Sequence, residues 1–227
     1  MELDLSVVYQ KMKQDSLDPQ VFKELLDLPP MEDEGTDLWG TPLYAMDGRV
    51  VGRKGESLMS FIDLARSRYS ERYFADTPLE EEKLYKILEA GRIAPTACNN
   101  QPQRFYVLKS PIALAKAAKL THIYNAPVVV LVCYIDADAW HSPFDGFCSG
   151  DMDASIAASS MMFEAEDLGV HSIWLRGFDT AKVQEAYDLP AGTIPSLMLA
   201  LGYPSEKSKP APLHDQREPI EEFVIEL

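Results

Sequence analysis

The ten residues Ala126–Ile135, APVVVLVCYI, constrain the fold more than any other stretch. They carry no charge, β-branched side chains dominate them, and the run is short enough to be a strand buried on both faces. A strand of that kind needs helices above and below it. Thr77-Pro78-Leu79-Glu80 has the pattern of a capping box with proline at the first helical position, and Leu84, Ile87 and Leu88 continue it as an apolar stripe up to Gly91. Ser110-Pro111 opens an alanine-rich helix. ASIAASSMMFEAEDLG is small or apolar nearly all round, with Asp153 as its candidate cap and Gly169 at the C′ position, so it is expected to be buried centrally or in a subunit interface. RFYVLK, HSIWL and SLMLALGY read as further strands, AKVQEAYDL as a short helix between the last two, and EEFVIEL as a candidate final strand. Strands and helices that alternate in this way predict a sheet covered by helices on both faces.

The N-terminal part differs. Asp18-Pro19 has the order of a cap and a first helical proline, and Val21, Phe22, Leu25 and Leu26 follow at helical spacing until Pro29-Pro30. Residues 31–57 hold acids, glycines and prolines with isolated Leu38, Trp39 and Tyr44, which reads as an irregular arm. Ser57 is a candidate cap for a helix carrying Leu58, Phe61, Ile62 and Ala65. The expected organisation is an extension over residues 1–57 and a compact domain over 58–227.

Charge and composition remove several function classes. With 227 residues and a net charge of −15, the chain would repel a phosphate backbone, so nucleic acid is not an expected partner. No apolar run reaches membrane-spanning length and the acidic N-terminus lacks a signal-peptide pattern, which points to a cytoplasmic protein. Cys98, Cys133 and Cys148 form no CxxC pair, so their spacing suggests neither a disulfide framework nor a metal site. The four histidines, His122, His141, His171 and His214, are scattered and read as structural. Neither GxGxxG nor GxxxxGK[ST] is present.

Two clusters carry chemistry. RSRYSERYF gathers Arg66, Arg68, Ser70 and Arg72 in an acidic chain, and the planar guanidinium fork suits phosphate oxygens. The alternative is a basic helix end paired with neighbouring acids. IAPTACNNQPQRFYVLK brackets Thr96, Cys98, Asn99, Asn100 and Gln101 between prolines. Such amides match the donors and acceptors along the edge of a flavin ring, although an Asx-turn that satisfies its own backbone fits the same residues.

In order and spacing, RSRYSERYF, APTACNNQPQRFYV, DASIAASSMMFEAEDLGVHSIWLRGF and LMLALGYP together resemble the nitroreductase family of FMN-dependent oxidoreductases, from about Ser60 to the C-terminus. The resemblance implies an α+β, three-layer fold with a central mixed or antiparallel sheet flanked by helices. It also implies an interlocked homodimer with FMN at the subunit interface. Arg68, Tyr69, Ser70 and Arg72 would hold the phosphate and pyrimidine edge of FMN. Pro95, Thr96, Ala97, Asn99 and Gln101 would line the ring, partly from the neighbouring subunit. Leu175, Arg176 and Gly177 would face N5 and O4, and Arg217 would complete the phosphate site. Lys207 and Lys209 are substitutes for a second C-terminal cation. Hydride would pass from NADH or NADPH through N5 to a small planar acceptor, nitroaromatic or quinone-like, in a ping-pong cycle with no catalytic side chain and no metal. Arg72 would stabilise the reduced ring. Cys98 is expected to pack against the ring edge, and Met161, Met162 and Phe163 to pack in the interface. The other readings are a flavin enzyme of another type in the same fold, dehalogenase-like or flavin-consuming, and a non-catalytic FMN-binding sensor.

Overall fold

The structure, a computed structural model, describes residues 60–227 and the backbone of two strands before them. The chain divides into two units, residues 1–60 and 61–227. In the first, β1 (Leu43–Met46) and β2 (Arg49–Arg53) form an antiparallel hairpin with a register irregularity between Tyr44 and Ala45. This lies in a segment expected to be irregular, and Asp47-Gly48, a pair favoured in two-residue hairpin connections, stands between the strands. The helix expected after Asp18, and Ser57 with Leu58, lie outside the described residues.

The second unit is built on four antiparallel strands: β3 (Gln103–Leu108), β4 (Val128–Ile135), β5 (His171–Leu175) and β6 (Thr193–Gly202), in the order β3-β4-β6-β5. The run that opened the sequence is β4, at the centre, with seven of its eight residues buried. Alternate residues face opposite layers, as the two-residue period of a strand requires. Val128, Val130 and Val132, with Leu197, Leu199 and Leu201, pack on Leu84 and Ile87 of α2 (Glu81–Arg92) and on Ala154, Ala158, Met161 and Ala165 of α4 (Gly150–Asp167). Val129, Leu131 and Cys133, with Ile173, Met198 and Ala200, pack on Ala117 of α3 (Pro111–Leu120) and Val183 of α5 (Thr180–Ala186). The result is the expected three-layer α+β arrangement. Burial pushes the Cys133 thiol up to about 12, so it stays protonated in the core. The first helix, α1 (Phe61–Ser67), leans Phe61 edge-on against Phe163 of α4 at 5.0 Å.

Local signals held in part. Ser110 caps α3 by accepting from Ala113 N, and Gly169 ends α4 with φ +69°, a value that glycine adopts without strain. The capping box before α2 does not form. The helix begins at Glu81, with Glu80 extended ahead of it, and the Glu80 carboxylate accepts from the Tyr203 hydroxyl instead, which lowers its pKa. Asp153 does not cap α4 either. That helix starts three residues earlier, and Asp153 lies buried in its first turn. EEFVIEL forms no strand, because its apolar residues meet no sheet edge among the described residues; its first two residues lie in a 3-10 turn, Ile220–Glu222. Phe223 and Ile225 stay 72% and 80% exposed.

Tight packing at the start of α4 gives a test. A Cβ on Gly150 would sit 2.2 Å and 2.3 Å from two ring carbons of Tyr134, whose ring is wedged in the core. Gly150→Ala is expected to destabilise the protein by at least about 1–3 kcal/mol, read in denaturant unfolding. An unchanged midpoint would contradict this packing.

Candidate functional site

The basic cluster follows α1 and runs beside the first residues of β5. Ser70 forms a parallel bridge with Ser172, and Glu71 N donates to Ser172 O at 3.0 Å. Further on, Ala75 N donates to Tyr203 O and Ser205 N to Tyr73 O, which stitches residues 70–75 to the end of β6. Glu71 fixes the turn. Fully buried, its carboxylate accepts from Arg72 N at 2.9 Å, Tyr73 N at 2.7 Å, His171 Nδ1 at 3.0 Å and the Ser208 hydroxyl. Tyr69 donates to or accepts from Ser208 Oγ at 2.7 Å and stands edge-on to His171 at 4.9 Å.

That arrangement spends Glu71 on backbone and neighbours and leaves the arginines without an acid. Arg66 pairs with Asp63 at 3.6 Å, as a basic helix end would. Among the described residues, neither Arg68 nor Arg72 has a carboxylate partner, and Arg72 donates only to Ser70 O at 3.1 Å. In a chain with 36 acids against 21 Lys and Arg, two guanidinium groups four residues apart are thus left without a counter-charge among the described residues. Lys207 joins Arg72 in lining one open pocket of about 420 Å³, together with Tyr124 and Ser205. Arg217 donates through one nitrogen to the carbonyls of Leu213 and Gln216 in its own turn. The C-terminal segment is tied back near the cluster because His214 Nε2 meets Arg66 O at 2.9 Å.

The amide loop joins α2 to β3. Pro95 is exposed, and Thr96 precedes a 3-10 turn, Ala97–Asn99. Cys98, Asn99 and Gln101 all have positive φ, at 51°, 56° and 53°, which costs energy for residues with a Cβ. Several bonds hold the strained backbone. Asp153, which also accepts from Ser149 Oγ, accepts from Ala97 N at 2.9 Å. Thr96 Oγ1 accepts from Gln101 N at 3.1 Å, and Arg104, paired with Asp138 at 3.0 Å, donates to Gln101 O at 2.9 Å. The amide groups of Asn99 and Asn100 make no hydrogen bond among the described residues, so the loop is not an Asx-turn that satisfies itself. The Gln101 side-chain amide donates back to Asn99 O at 3.3 Å, whereas the side chains of Asn99 and Asn100 stay exposed. Cys98 is exposed in the single chain and not packed away.

Leu175 closes β5, and Arg176 lies over the Phe178 ring at 5.1 Å. A Cβ on Gly177 would meet nothing within 4 Å, so the surface above it is open.

These groups do not all converge within one chain. Ser70 lies beside Ser172, which pairs with Leu201, whereas Pro102 lies beside Ile135, which pairs with Thr193. Eight residues of β6 separate the two points, roughly 25 Å along the strand. The arginines and the amide loop therefore occupy opposite ends of the sheet, with Leu175–Gly177 running toward the loop end. Between them, α4 exposes Met152 and Ile156, which with Phe61 and Phe163 line an apolar groove. Met161, expected in an interface, is instead fully buried beneath Gly91.

Sequence motifs did not mark Glu71 or Ser208, and marked Asp153 only as a helix cap. Each acts by holding backbone in place, a role with no fixed spacing. The other short-range cluster of chemical interest is Asp136, His141 and Cys148, whose donor atoms lie within 4.8 Å of one another.

Comparison with known proteins bears on the family and the fold. The model of the nitroreductase family matches residues 65–123 and 109–203. A protein of Thermus thermophilus named NADH dehydrogenase is 30% identical over 195 residues, covering 71% of this chain and 93% of the relative. The crystal structure of a nitroreductase family protein from Clostridium difficile 630 superposes with a TM-score of 0.70 at 39% identity, over 74% of this chain and 98% of that one. An FMN complex from Desulfovibrio desulfuricans superposes at 0.64 with 27% identity, over 75% and 98%. On the family match, the shared fold and the extent of both, the chain belongs to the nitroreductase family.

Proposed function

We propose that this chain is an FMN-dependent oxidoreductase that works as a homodimer, passing hydride from NADH or NADPH to a small planar acceptor, nitroaromatic or quinone-like, in a ping-pong cycle. The observation that carries the reading is the pair of guanidinium groups, Arg68 and Arg72, left without acidic partners in a strongly acidic chain. The FMN bound by the Desulfovibrio neighbour and the dehydrogenase name of the Thermus relative support the cofactor and the reaction class.

The residues fit that cofactor. Arg68, Ser70 and Arg72 would hold its phosphate and pyrimidine edge, and Tyr69 would brace them through Ser208. Lys207, in the same pocket as Arg72, is a better placed C-terminal cation than Arg217, whose nearest partners are its own carbonyls. Pro95, Thr96 and Ala97 would wall the ring, while Asn99 and Gln101 would present amides to its edge. Leu175, Arg176 and the open surface at Gly177 would leave one face accessible to a flat molecule. When bound, FMN supplies the N5 position that takes up and returns hydride. A guanidinium already fixed at the pyrimidine edge would favour added negative charge there without having to reorganise. No side chain is needed as nucleophile or base.

The separation along the sheet supports a site shared by two copies, in which one supplies Arg68–Arg72 and the other its amide loop. The exposed apolar groove on α4 and the exposed C-terminal Phe223 and Ile225 supply surface for that contact.

A mixing experiment tests the sharing. Arg68→Ala/Arg72→Ala protomers and Asn99→Ala/Gln101→Ala protomers should each bind FMN weakly alone. Heterodimers made by co-expressing them should regain one FMN site of unaltered affinity, with both sets of damage confined to the other site. If the heterodimers bind no better than either parent, each site belongs to a single chain.

A further inference from the structure

The loop between β4 and α4 does more than connect. A 3-10 turn, Asp136–Asp138, leads into a tight reversal in which Ser142 N donates to Phe147 O at 2.8 Å and Ser149 N to Trp140 O at 2.9 Å. Gly146, at φ +72°, and the Asp145 carboxylate, accepting from Phe147 N, hold the tip of that reversal. An antiparallel bridge pairs His141 with Cys148, which places their side chains side by side. Asp136 reaches the same point from the 3-10 turn. Its Oδ1 lies 3.6 Å from His141 Nε2 and 3.6 Å from Cys148 Sγ.

Cys148 Sγ donates to Asp136 Oδ1 as a long sulfur hydrogen bond, whereas the His141–Asp136 separation suits a bridging metal better than a direct contact. At 3.6 Å, nitrogen and oxygen are too far apart for a good hydrogen bond. Tetrahedral zinc, with bonds of about 2.3 Å to sulfur and about 2.0–2.2 Å to nitrogen and oxygen, places its donor atoms roughly 3.4–3.6 Å apart. The imidazole is also oriented for the task. His141 Nδ1 lies 3.1 Å from Ala139 O. A carbonyl only accepts, so Nδ1 carries a hydrogen, and Nε2, on the side of Asp136, is the nitrogen left to meet a metal. A backbone acceptor on the far nitrogen is the usual support of a metal-bound histidine. The backbone that presents Asp136 is itself fixed, through Asp136 N to Gly192 O at 3.0 Å.

We propose that Asp136, His141 and Cys148 form a binding site for a zinc-class divalent cation, with a fourth coordination position open to solvent. Thiolate and imidazole select a borderline-soft ion over magnesium or calcium, and the exposure of Asp136 and His141 leaves room for a water as the fourth ligand. None of the three donors is among the residues proposed to hold FMN, although Arg104 joins Asp138 of the same 3-10 turn to Gln101 of the amide loop.

Cobalt(II) is the probe, added to the reduced, full-length protein as purified in metal-free buffer. The expected result is one equivalent bound per chain, with visible d–d bands of tetrahedral intensity at longer wavelengths than flavin absorption, bleached by excess zinc. Cys148→Ser should abolish the bands, and Asp136→Asn or His141→Ala should weaken zinc binding at least about 100-fold in calorimetric titration. Without any substitution, zinc should also protect Cys148, but not Cys98, from alkylation as read by mass spectrometry. Absent bands, binding that survives Cys148→Ser, or equal alkylation of Cys148 with and without zinc would each overturn the site.

Discussion

Replacing Arg68 and Arg72 together by alanine is expected to weaken FMN binding by about 3–6 kcal/mol, roughly two to four powers of ten, and to leave the stability of the apoprotein nearly unchanged. Each charge-assisted bond to a phosphate or ring oxygen is worth about 1.5–3 kcal/mol. Neither guanidinium is tied to an acid of its own chain among the described residues, so removing it orphans no carboxylate. Fluorescence titration of apoprotein with FMN measures the loss, and denaturant unfolding supplies the control. An affinity within threefold of the starting protein would mean that the cluster binds no anion. A large loss of stability would mean that the arginines are structural after all.

The second large effect is expected at Glu71. Glu71→Ala would remove the one fully buried acceptor shared by the amide groups of Arg72 and Tyr73, the His171 ring and the Ser208 hydroxyl. Breaking a buried charged network from one side costs about 3–5 kcal/mol. FMN affinity should fall as well, because the turn that aims Arg72 would no longer be held. Glu71→Gln keeps the shape and part of the bonding, and should cost distinctly less on both counts. A Glu71→Ala protein as stable as its parent would show that the network does not hold the turn.

How much of this was legible in the sequence varies from element to element. The composition of β4 announced its burial, and α3 announced its start through Ser110-Pro111, because local chemistry decides both outcomes. Thr77 failed as a cap because Glu80 found a tertiary partner in Tyr203, 123 residues away, which no local pattern contains. Asp153 was picked out as a polar residue near a helix start, but its partner is the backbone of the amide loop, 56 residues earlier in the chain. The Arg-x-Ser-x-Arg spacing and the proline-bracketed amides were visible as motifs. Their placement at opposite ends of one sheet was not, since it follows from strand order and not from spacing. Glu71 was hidden for a related reason: an acid among arginines reads as a surface ion pair until its burial is known. The triad Asp136, His141 and Cys148 was missed because a loop reversal, and not a CxxC pattern, brings it together. Asp47-Gly48 was a legible hairpin signal, masked by the glycines and acids around it.

The most direct test of the central claim is the visible absorption spectrum of the purified protein under anaerobic conditions, before and after NADH or NADPH. The account predicts a bound flavin spectrum that bleaches on addition of at least one of the two nucleotides and returns when a quinone or nitroaromatic acceptor is added. A protein that is colourless and takes up no added FMN, or one whose bound flavin neither nucleotide reduces, would contradict it.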